Sequence, residues 1–333
     1  MILVTGATGF IGSHLLIDLL KSGKKVRAIR RNGKSDLTTK IFSFYNCSKL
    51  LSEVEWFEGD VLDFFSLIDA LDGISEVYHC AAIVSFHKTE ALNMEKVNIQ
   101  GTANIVNAAL EKKINKLCYV SSIAALGRSE TDLPTDEETF WKSSKRNSAY
   151  SISKYGAERE VWRGTIEGLD AVIVNPSVVI GPGNWKKGSS QLFSLMDKGL
   201  KFYTMGMNGY VDVRDVSKAM ILLMESEIKN ERFILSSENL FCKDFFDQVA
   251  DGLGKKRPSK KAGKFLSQIA WRYLKFIEIF TGKKASITKE TARTANNISK
   301  FSSEKIIKAI DFKFIPMYQS IKDTCEIYLR EKN

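Results

Sequence analysis

The chain is short of the residues that hold metals or bridge strands of protein together. Its three histidines, His14, His79 and His87, are spread over 333 residues, and none stands in register with a carboxylate cluster, so an imidazole–carboxylate metal centre is not expected. Five cysteines (Cys47, Cys80, Cys118, Cys242 and Cys325) are odd in number and scattered, without the paired spacing of a zinc site or a redox motif, and are expected to be reduced and structural. Long apolar runs are missing too. The longest, Phe265 to Phe280, is broken by Arg272, Lys275 and Glu278 and falls short of the roughly 20 residues that span a bilayer. No basic leader with an apolar stretch stands before Ile2-Leu3-Val4, so a signal peptide is not expected and the chain is read as cytoplasmic. Acidic residues are outnumbered, 39 against 49 basic ones, for a formal charge of +10. The lysines are dispersed rather than gathered on one reading helix, which argues against nucleic acid as partner; a phosphorylated cofactor or substrate accounts for part of the excess.

What is present is an ordinary globular composition, 44% hydrophobic and 26% charged, in a chain long enough for about two domains. Ile2-Leu3-Val4-Thr5 reads as a strand, and Ile11, Leu15, Leu16, Leu19 and Leu20 follow at helical spacing. Between them stands Thr5-Gly6-Ala7-Thr8-Gly9-Phe10-Ile11-Gly12, with three glycines spaced three apart. A diphosphate can approach a backbone only where side chains are missing, and the N–H groups of the next helix's first turn then bind its charge. Lys25 to Ile29 reads as a second strand whose tip carries Arg30 and Arg31. An arginine there suits a 2′-phosphate and favours NADP(H), while the nearby Asp36 could serve NAD(H) instead. Short strands are expected at Val54–Phe57, Glu76–His79, Lys116–Val120 and Ala171–Pro176, with helices at Ala91–Lys113 and from Tyr150 to about Thr165. This alternation predicts an α/β fold with a parallel sheet and ligands beyond the carboxyl ends of the strands. Ser122 stands at such an end. Tyr150 and Lys154 place a phenol and an ammonium one helical turn apart on the same face, and a nearby cation favours phenolate. Tyr45/Lys49, Tyr318/Lys322 and Tyr328/Lys332 have the same spacing; Tyr150 differs in following Ser122 at the start of a helix.

In order and interval, the glycine turn, Asp60-Val61, His79-Cys80-Ala81-Ala82, Asn98-Ile99-Gln100-Gly101-Thr102, Ser121-Ser122, Tyr150 with Lys154, and Asn175-Pro176-Ser177-Val178-Val179-Ile180-Gly181-Pro182-Gly183 form one set. From residue 1 to about 240 the chain resembles the extended short-chain dehydrogenase/reductase family (the NAD-dependent epimerase/dehydratase superfamily), in particular its dihydroflavonol 4-reductase-like and 3β-hydroxysteroid dehydrogenase-like group. The resemblance implies a Rossmann doubly wound parallel sheet, residues 1–176 plus about 211–240, and a smaller, mostly helical C-terminal substrate domain, residues 177–210 and 241–333. It implies a homodimer through the two long helices. It makes Tyr150 the general acid/base, Lys154 the residue that holds the nicotinamide ribose and lowers the Tyr150 pKa, Ser122 the hydrogen-bond donor to the reacting oxygen, and Asn98 a support behind Lys154. Gly6, Thr8, Gly9, Phe10, Ile11, Gly12, Arg30, Arg31, Asp60, Val61, Ala81, Ala82, Asn175, Pro176 and Val178 would join Tyr150 and Lys154 around the cofactor.

For the substrate, nucleotide-sugar members place Arg-Asp where this chain has Asn208-Gly209. The neighbouring Phe202, Tyr203, Met205, Met207 and Tyr210 give that region an apolar character suited to an uncharged carbonyl compound. Ser85, Ser122, Gln191 and Tyr210 are candidate substrate contacts; Trp185, Ser189, Ser190 and Phe193 are either pocket walls or packing, and Asp212, Arg214 and Asp215 are read as fastening a turn. The basic run Lys255–Lys264 beside Phe265–Phe280 is read first as a solvated face, with contact to an anionic membrane surface as the alternative. Three functions follow: an NADP(H)-dependent reductase of a ketone or aldehyde on a small, largely uncharged substrate; an NAD-dependent nucleotide-sugar epimerase or dehydratase; and a non-catalytic dinucleotide sensor.

Overall fold

Short apolar runs buried on both faces make the strands, and the segments between them carry a single apolar stripe, as covering helices do. A computed structural model describes every residue except 32, 34, 35, 128, 130–132, 145, 146, 264, 265, 270, 273–288 and 333. Strands β1 (Ile2–Thr5), β2 (Val26–Arg30), β3 (Glu55–Glu58), β4 (Glu76–His79), β5 (Lys116–Val120), β6 (Ala171–Pro176) and β10 (Glu231–Leu235) form one sheet in the order β10-β6-β5-β4-β1-β2-β3. All its pairings are parallel. The order reverses at β1, which pairs with β2 on one side and β4 on the other. Because Thr5 lies opposite His79, the two strands end level, and the chain leaves them in opposite directions to open a crevice.

Helices α1 (Phe10–Lys21), α2 (Asp36–Phe44) and α8 (Val213–Glu225) cover one face, burying Leu15, Leu16, Phe42, Met220 and Leu223. Helices α3 (Phe64–Ala70), α5 (Gly101–Glu111) and α6 (Ala149–Ile166) cover the other through Leu67, Ile105, Val106 and Val161. Caps set their starts: Asp63 accepts from Phe65 and Ser66, Ser148 from Ser151, and Asp212 from Arg214. The segment expected as one helix over Ala91–Lys113 is instead α4 (Ala91–Met94), a wider π turn over Glu95–Gln100, and then α5. The wide turn carries Asn98, whose buried amide is doubly bonded to the Ile83 backbone at 2.7 and 3.0 Å. That bond accounts for the interruption of the regular helical ladder.

After β6 the chain leaves the sheet through β7 (Val178–Ile180), α7 (Gln191–Asp197), β8 (Phe202–Tyr203) and β9 (Met207–Asp212), then returns by α8 to β10. Strand β11 (Glu238–Phe241) follows at once and pairs with β9, giving a small sheet in the order β11-β9-β7. On it, α7, α9 (Cys242–Gly252) and α12 (Met317–Lys332) close a second core around Phe193, Tyr210, Phe245 and Ile321. Strand β12 (Lys260–Lys261) pairs with β8, and α10 (Lys289–Thr294) and α11 (Glu304–Ile310) complete the carboxyl-terminal part. The stretch Phe265–Phe280 lies for the most part outside the described residues. Among the described residues, no helix is long and apolar enough to cross a membrane.

Candidate active site

The glycine turn is shaped by close approach. Gly6 has φ +65°, and a Cβ there would lie 2.5 Å from the Ala81 nitrogen, so the turn backs directly onto the residues that follow β4. A Cβ at Gly12 would come within 2.3 Å of the Gly6 carbonyl oxygen, which seats the first turn of α1 against the loop. Gly9 caps that helix with no side-chain hydrogen bond and no acidic residue in the first turn. Gly9, Phe10, Ile11 and Gly12 thus leave a helix amino terminus open to an anion, with Thr8 in the turn before it. Phe10 faces the other lobe, its ring 2.9 Å from where a Cβ on Gly183 would stand. At the tip of β2 the Arg30 guanidinium lies 5.1 Å from the centre of the Trp56 ring, and Arg31 is exposed. Asp60 turns the chain after β3 by accepting from the Leu62 nitrogen at 3.0 Å, and the Val61 carbonyl is held by Asn104 at 2.9 Å.

On the far side of the crevice, Ser122 follows β5, and its Oγ accepts from the Ala124 nitrogen at 3.1 Å. Burial raises the Tyr150 pKa, against the lowering expected from Lys154, and the neighbouring Ser122 hydroxyl opposes the rise. Phe86 stands edge-on to the Tyr150 ring, centroids 5.9 Å apart. One turn further along α6, Lys154 is 2% exposed, and its Nζ donates to the Tyr119 hydroxyl at 2.9 Å and the Val120 carbonyl at 2.7 Å. Burial pulls its pKa down to about 7, while the Glu158 carboxylate pulls the other way. Ser122, Tyr150 and Lys154 therefore meet at one edge of the crevice.

Two buried brackets hold this edge. Asn98 donates to Ser153 Oγ at 2.9 Å, and Ser153 donates to the Tyr150 carbonyl at 2.8 Å, so the wide turn braces the first turn of α6. Asn98 thus acts on the backbone beside Tyr150, one turn ahead of Lys154. Glu158 accepts from Ser121 at 2.5 Å, from Asn175 at 2.8 Å and from Arg232 at 3.1 Å, tying β5, β6 and β10 to the same helix. Asn175 also donates to the Ser122 carbonyl at 3.1 Å. Its Oδ1 is buried and makes no hydrogen bond within the protein.

Of the expected substrate contacts, Ser85 lies in the loop after β4 and accepts from the His87 nitrogen at 3.2 Å. Gln191 opens α7 beside Ser190, whose hydroxyl is bonded to Gly181. Tyr210 departs from expectation. It is buried and stacked on Phe245 with centroids 4.7 Å apart; of the apolar residues around β9 it is Tyr210 that joins the second core, while Phe202 and Met205 stay exposed. Trp185 and Phe193 likewise pack among Tyr328 and Phe245. Arg214 pairs with Asp212 and Asp323, and Asp215 accepts from Ile315, which fastens the turn as read. Pro176 and Val178 flank Ser177 at the crossing from the large sheet to the small one. Sequence reasoning missed Tyr119 and Glu158 as neighbours of Lys154, and Phe86 as a neighbour of Tyr150. Only Tyr119 carried a signal: a tyrosine in a strand buried on both faces must find a partner for its hydroxyl.

The glycine cradle, the uncapped α1 terminus and the orphaned Asn175 oxygen fit a bound dinucleotide. Among the described residues no cluster of His, Cys, Asp and Glu could hold a metal ion. Residues 2–235 match the family described as NAD dependent epimerase/dehydratase. The chain is 28% identical to a putative dihydroflavonol 4-reductase of Synechocystis sp. over 96% of its own length and 92% of that protein's. It is 28% identical to sterol demethylase protein B of Methylococcus capsulatus, covering 77% of this chain and 75% of the other. The crystal structure of gox2253 superposes with a TM-score of 0.82 at 31% identity, covering 99% of this chain and 98% of that one.

Proposed function

Because the chain belongs to the NAD-dependent epimerase/dehydratase family and is an NAD(P)-dependent enzyme of the extended short-chain dehydrogenase/reductase type, we propose that it is an NADP(H)-dependent reductase of a ketone or aldehyde on a largely uncharged substrate. The observation that carries this reading is the placement of Tyr150 in the first turn of α6, beside Ser122 and with the Phe86 ring edge-on to it. Burial raises its pKa, so it keeps its proton at neutral pH and suits a general acid that protonates a carbonyl oxygen. Ser122, aligned by Ala124, offers a second hydrogen bond to that oxygen. Lys154, one turn behind the phenol and with its pKa pulled down to about 7 by burial, steadies the phenolate left after proton transfer when it carries its proton. The cofactor, when bound, supplies the hydride that reduces the carbonyl carbon. The glycine turn and the α1 terminus would hold its diphosphate, and Arg30 with Arg31 its adenosine end.

Substrate character is read from the rim. Val84 and Phe86, 63% and 42% exposed, follow β4 next to Tyr150, and an aromatic ring at the reacting phenol favours an apolar or flat substrate over a sugar diphosphate. The relative named as a dihydroflavonol 4-reductase supports the same reading. A panel of ketones and aldehydes with added NADPH tests it. Consumption of NADPH is expected. A purified protein that carries non-exchanging NAD and isomerises a UDP- or dTDP-sugar would replace this reading with an epimerase, and cofactor binding without turnover on either panel would replace it with a sensor.

A further inference from the structure

Behind Lys154 runs a line of buried hydroxyl, imidazole and phenol groups that the reading above does not use, and its hydrogen positions follow from counting protons. Thr102 Oγ1 donates to the Asn98 carbonyl at 2.6 Å. A carbonyl only accepts, so the single Thr102 proton is committed there. His79 Nε2 lies 3.0 Å from Thr102 Oγ1, and Nδ1 lies 2.6 Å from Thr5 Oγ1. His79 is fully buried and neutral, its pKa pushed down to about 3 by burial, and so carries one ring proton. That proton is on Nε2 and goes to Thr102, while Nδ1 accepts from Thr5. The Tyr119 hydroxyl lies near Thr102 Oγ1, which has no proton left to give and can meet it only as an acceptor. The Tyr119 oxygen in turn accepts from Lys154 Nζ at 2.9 Å.

We propose that Tyr119 is a positioning residue for Lys154: its phenol, oriented by the His79–Thr102 pair, is a fixed acceptor that keeps the amine an ammonium and aims it at the crevice. The Tyr119 ring adds to this, its centroid 4.6 Å from Nζ and its plane stacked on His79. The other titratable groups around the amine are Glu158 and Tyr150 on α6, His79 on β4 and Cys80 just after it. Of these Glu158 acts in favour of the ammonium; the Cys80 thiol, pushed up to about 12 by burial, stays neutral. The acceptor pair of Tyr119 and Val120 therefore opposes the desolvation of Lys154 from the sheet side, as Glu158 does along the helix.

The inference rests on Lys154 as the partner of Tyr150, and its test uses no substrate, so a failure to find turnover bears on the reductase reading alone. The full chain, labelled with [ε-13C]lysine, is titrated by NMR, and the Lys154 resonance is identified by its loss in Lys154→Arg. Tyr119→Phe keeps the ring and removes the acceptor; the Lys154 midpoint is expected to fall by about one pH unit. Thr102→Val, which releases the Tyr119 proton, should move the midpoint the same way, and Thr102→Ser should restore it. NADPH affinity measured by calorimetry from pH 6 to 9 should begin to weaken at correspondingly lower pH in Tyr119→Phe. A role confined to packing would lower the melting temperature and leave the midpoint where it was. An unchanged midpoint in folded Tyr119→Phe overturns the proposal. Should that variant not fold, equal midpoints in Thr102→Val and Thr102→Ser overturn it.

Discussion

Tyr150, Gly12 and Arg31 each answer to one interaction, and each gives a measurable outcome. Tyr150→Phe removes the proton donor and leaves the glycine turn untouched. NADPH binding is expected to persist while turnover falls about a hundred- to ten-thousand-fold, the contribution of a positioned acid; near-normal turnover would sink the assignment. At Gly12 an added Cβ would press on the Gly6 carbonyl at 2.3 Å, and backbone cannot give way as a side-chain tip can. Gly12→Ala should therefore weaken dinucleotide binding at least tenfold and lower the melting temperature. Arg31 is exposed beside the tip of β2. If it meets a 2′-phosphate, Arg31→Ala loses a charge-assisted bond and about tenfold in NADPH affinity with little change for NADH, which calorimetry with both cofactors reads directly. The sequence made Tyr150 stand out only by its place in the order of motifs. Tyr45 and Tyr328 share its spacing to a lysine, yet the structure gives their hydroxyls to His14 and Asp197. Tyr119 was hidden for the opposite reason: in a strand buried on both faces, the chain pattern records apolarity and not where a hydroxyl points.

At the scale of elements, the strands of the large sheet were legible because they are short apolar runs ending in glycine or small residues, and six of them fall within a residue or two of where the pattern puts them. The seventh, β10, lies in the returning segment that the resemblance assigned to the same domain. The wide turn at Glu95–Gln100 was not legible, since its cause is a contact between Asn98 and Ile83, distant in sequence. The small sheet was misread in part for a related reason: alternating apolar residues around β9 suit a pocket and a core equally well, and Tyr210 fell to the core. Two buried histidines tie element packing to acidity. His14, bonded to the Phe10 carbonyl on α1, and His79 on β4 have pKa values pushed down to about 4 and about 3 from 6.5 by burial. The unfolded chain takes up protons at both positions below pH 6.5 while the folded protein does not, so their stabilising effect is complete above 6.5 and is lost as the pH falls towards the folded values. Urea unfolding should show stability level from pH 8 to 6.5 in this respect, then a loss of about 2 kcal/mol per histidine by pH 5. A curve that stays flat down to pH 5 would show that these rings are not held neutral.

Among the described residues, apolar side chains stand exposed on two neighbouring helices. Leu92 on α4 and Ile152 and Ile166 on α6 are 80%, 52% and 88% exposed, on helices that pack side by side. They lie in the two segments, Ala91–Lys113 and the helix from Tyr150, through which a homodimer is expected. Sedimentation equilibrium should return twice the chain mass of 37.5 kDa, and Ile166→Lys should return it to the single mass; a wild-type monomer at micromolar concentration would remove the expectation. The basic run before residue 264 is exposed but partly paired. Lys255 pairs with Asp197, Arg257 with Asp251, and Lys260 lies over Phe202.

The excursion from β6 and the return to β10 have a mechanical result. Strands β6 and β10 are neighbours, and each passes within two residues into the small sheet, by Ser177 on one side and Ser236-Ser237 on the other. Two of the crossings to the carboxyl-terminal lobe are thus adjacent, joined where the Ser177 nitrogen bonds to the Leu235 carbonyl at 2.9 Å, and a third runs from β9 straight into α8 at Asp212 and Val213. With Arg214 and Asp215 of α8 also tied to Asp323 and Ile315, the lobe is pinned at several points rather than hinged. The seat of Phe10 against Gly183 at the mouth of the cleft is therefore expected to keep its place when a ligand comes or goes.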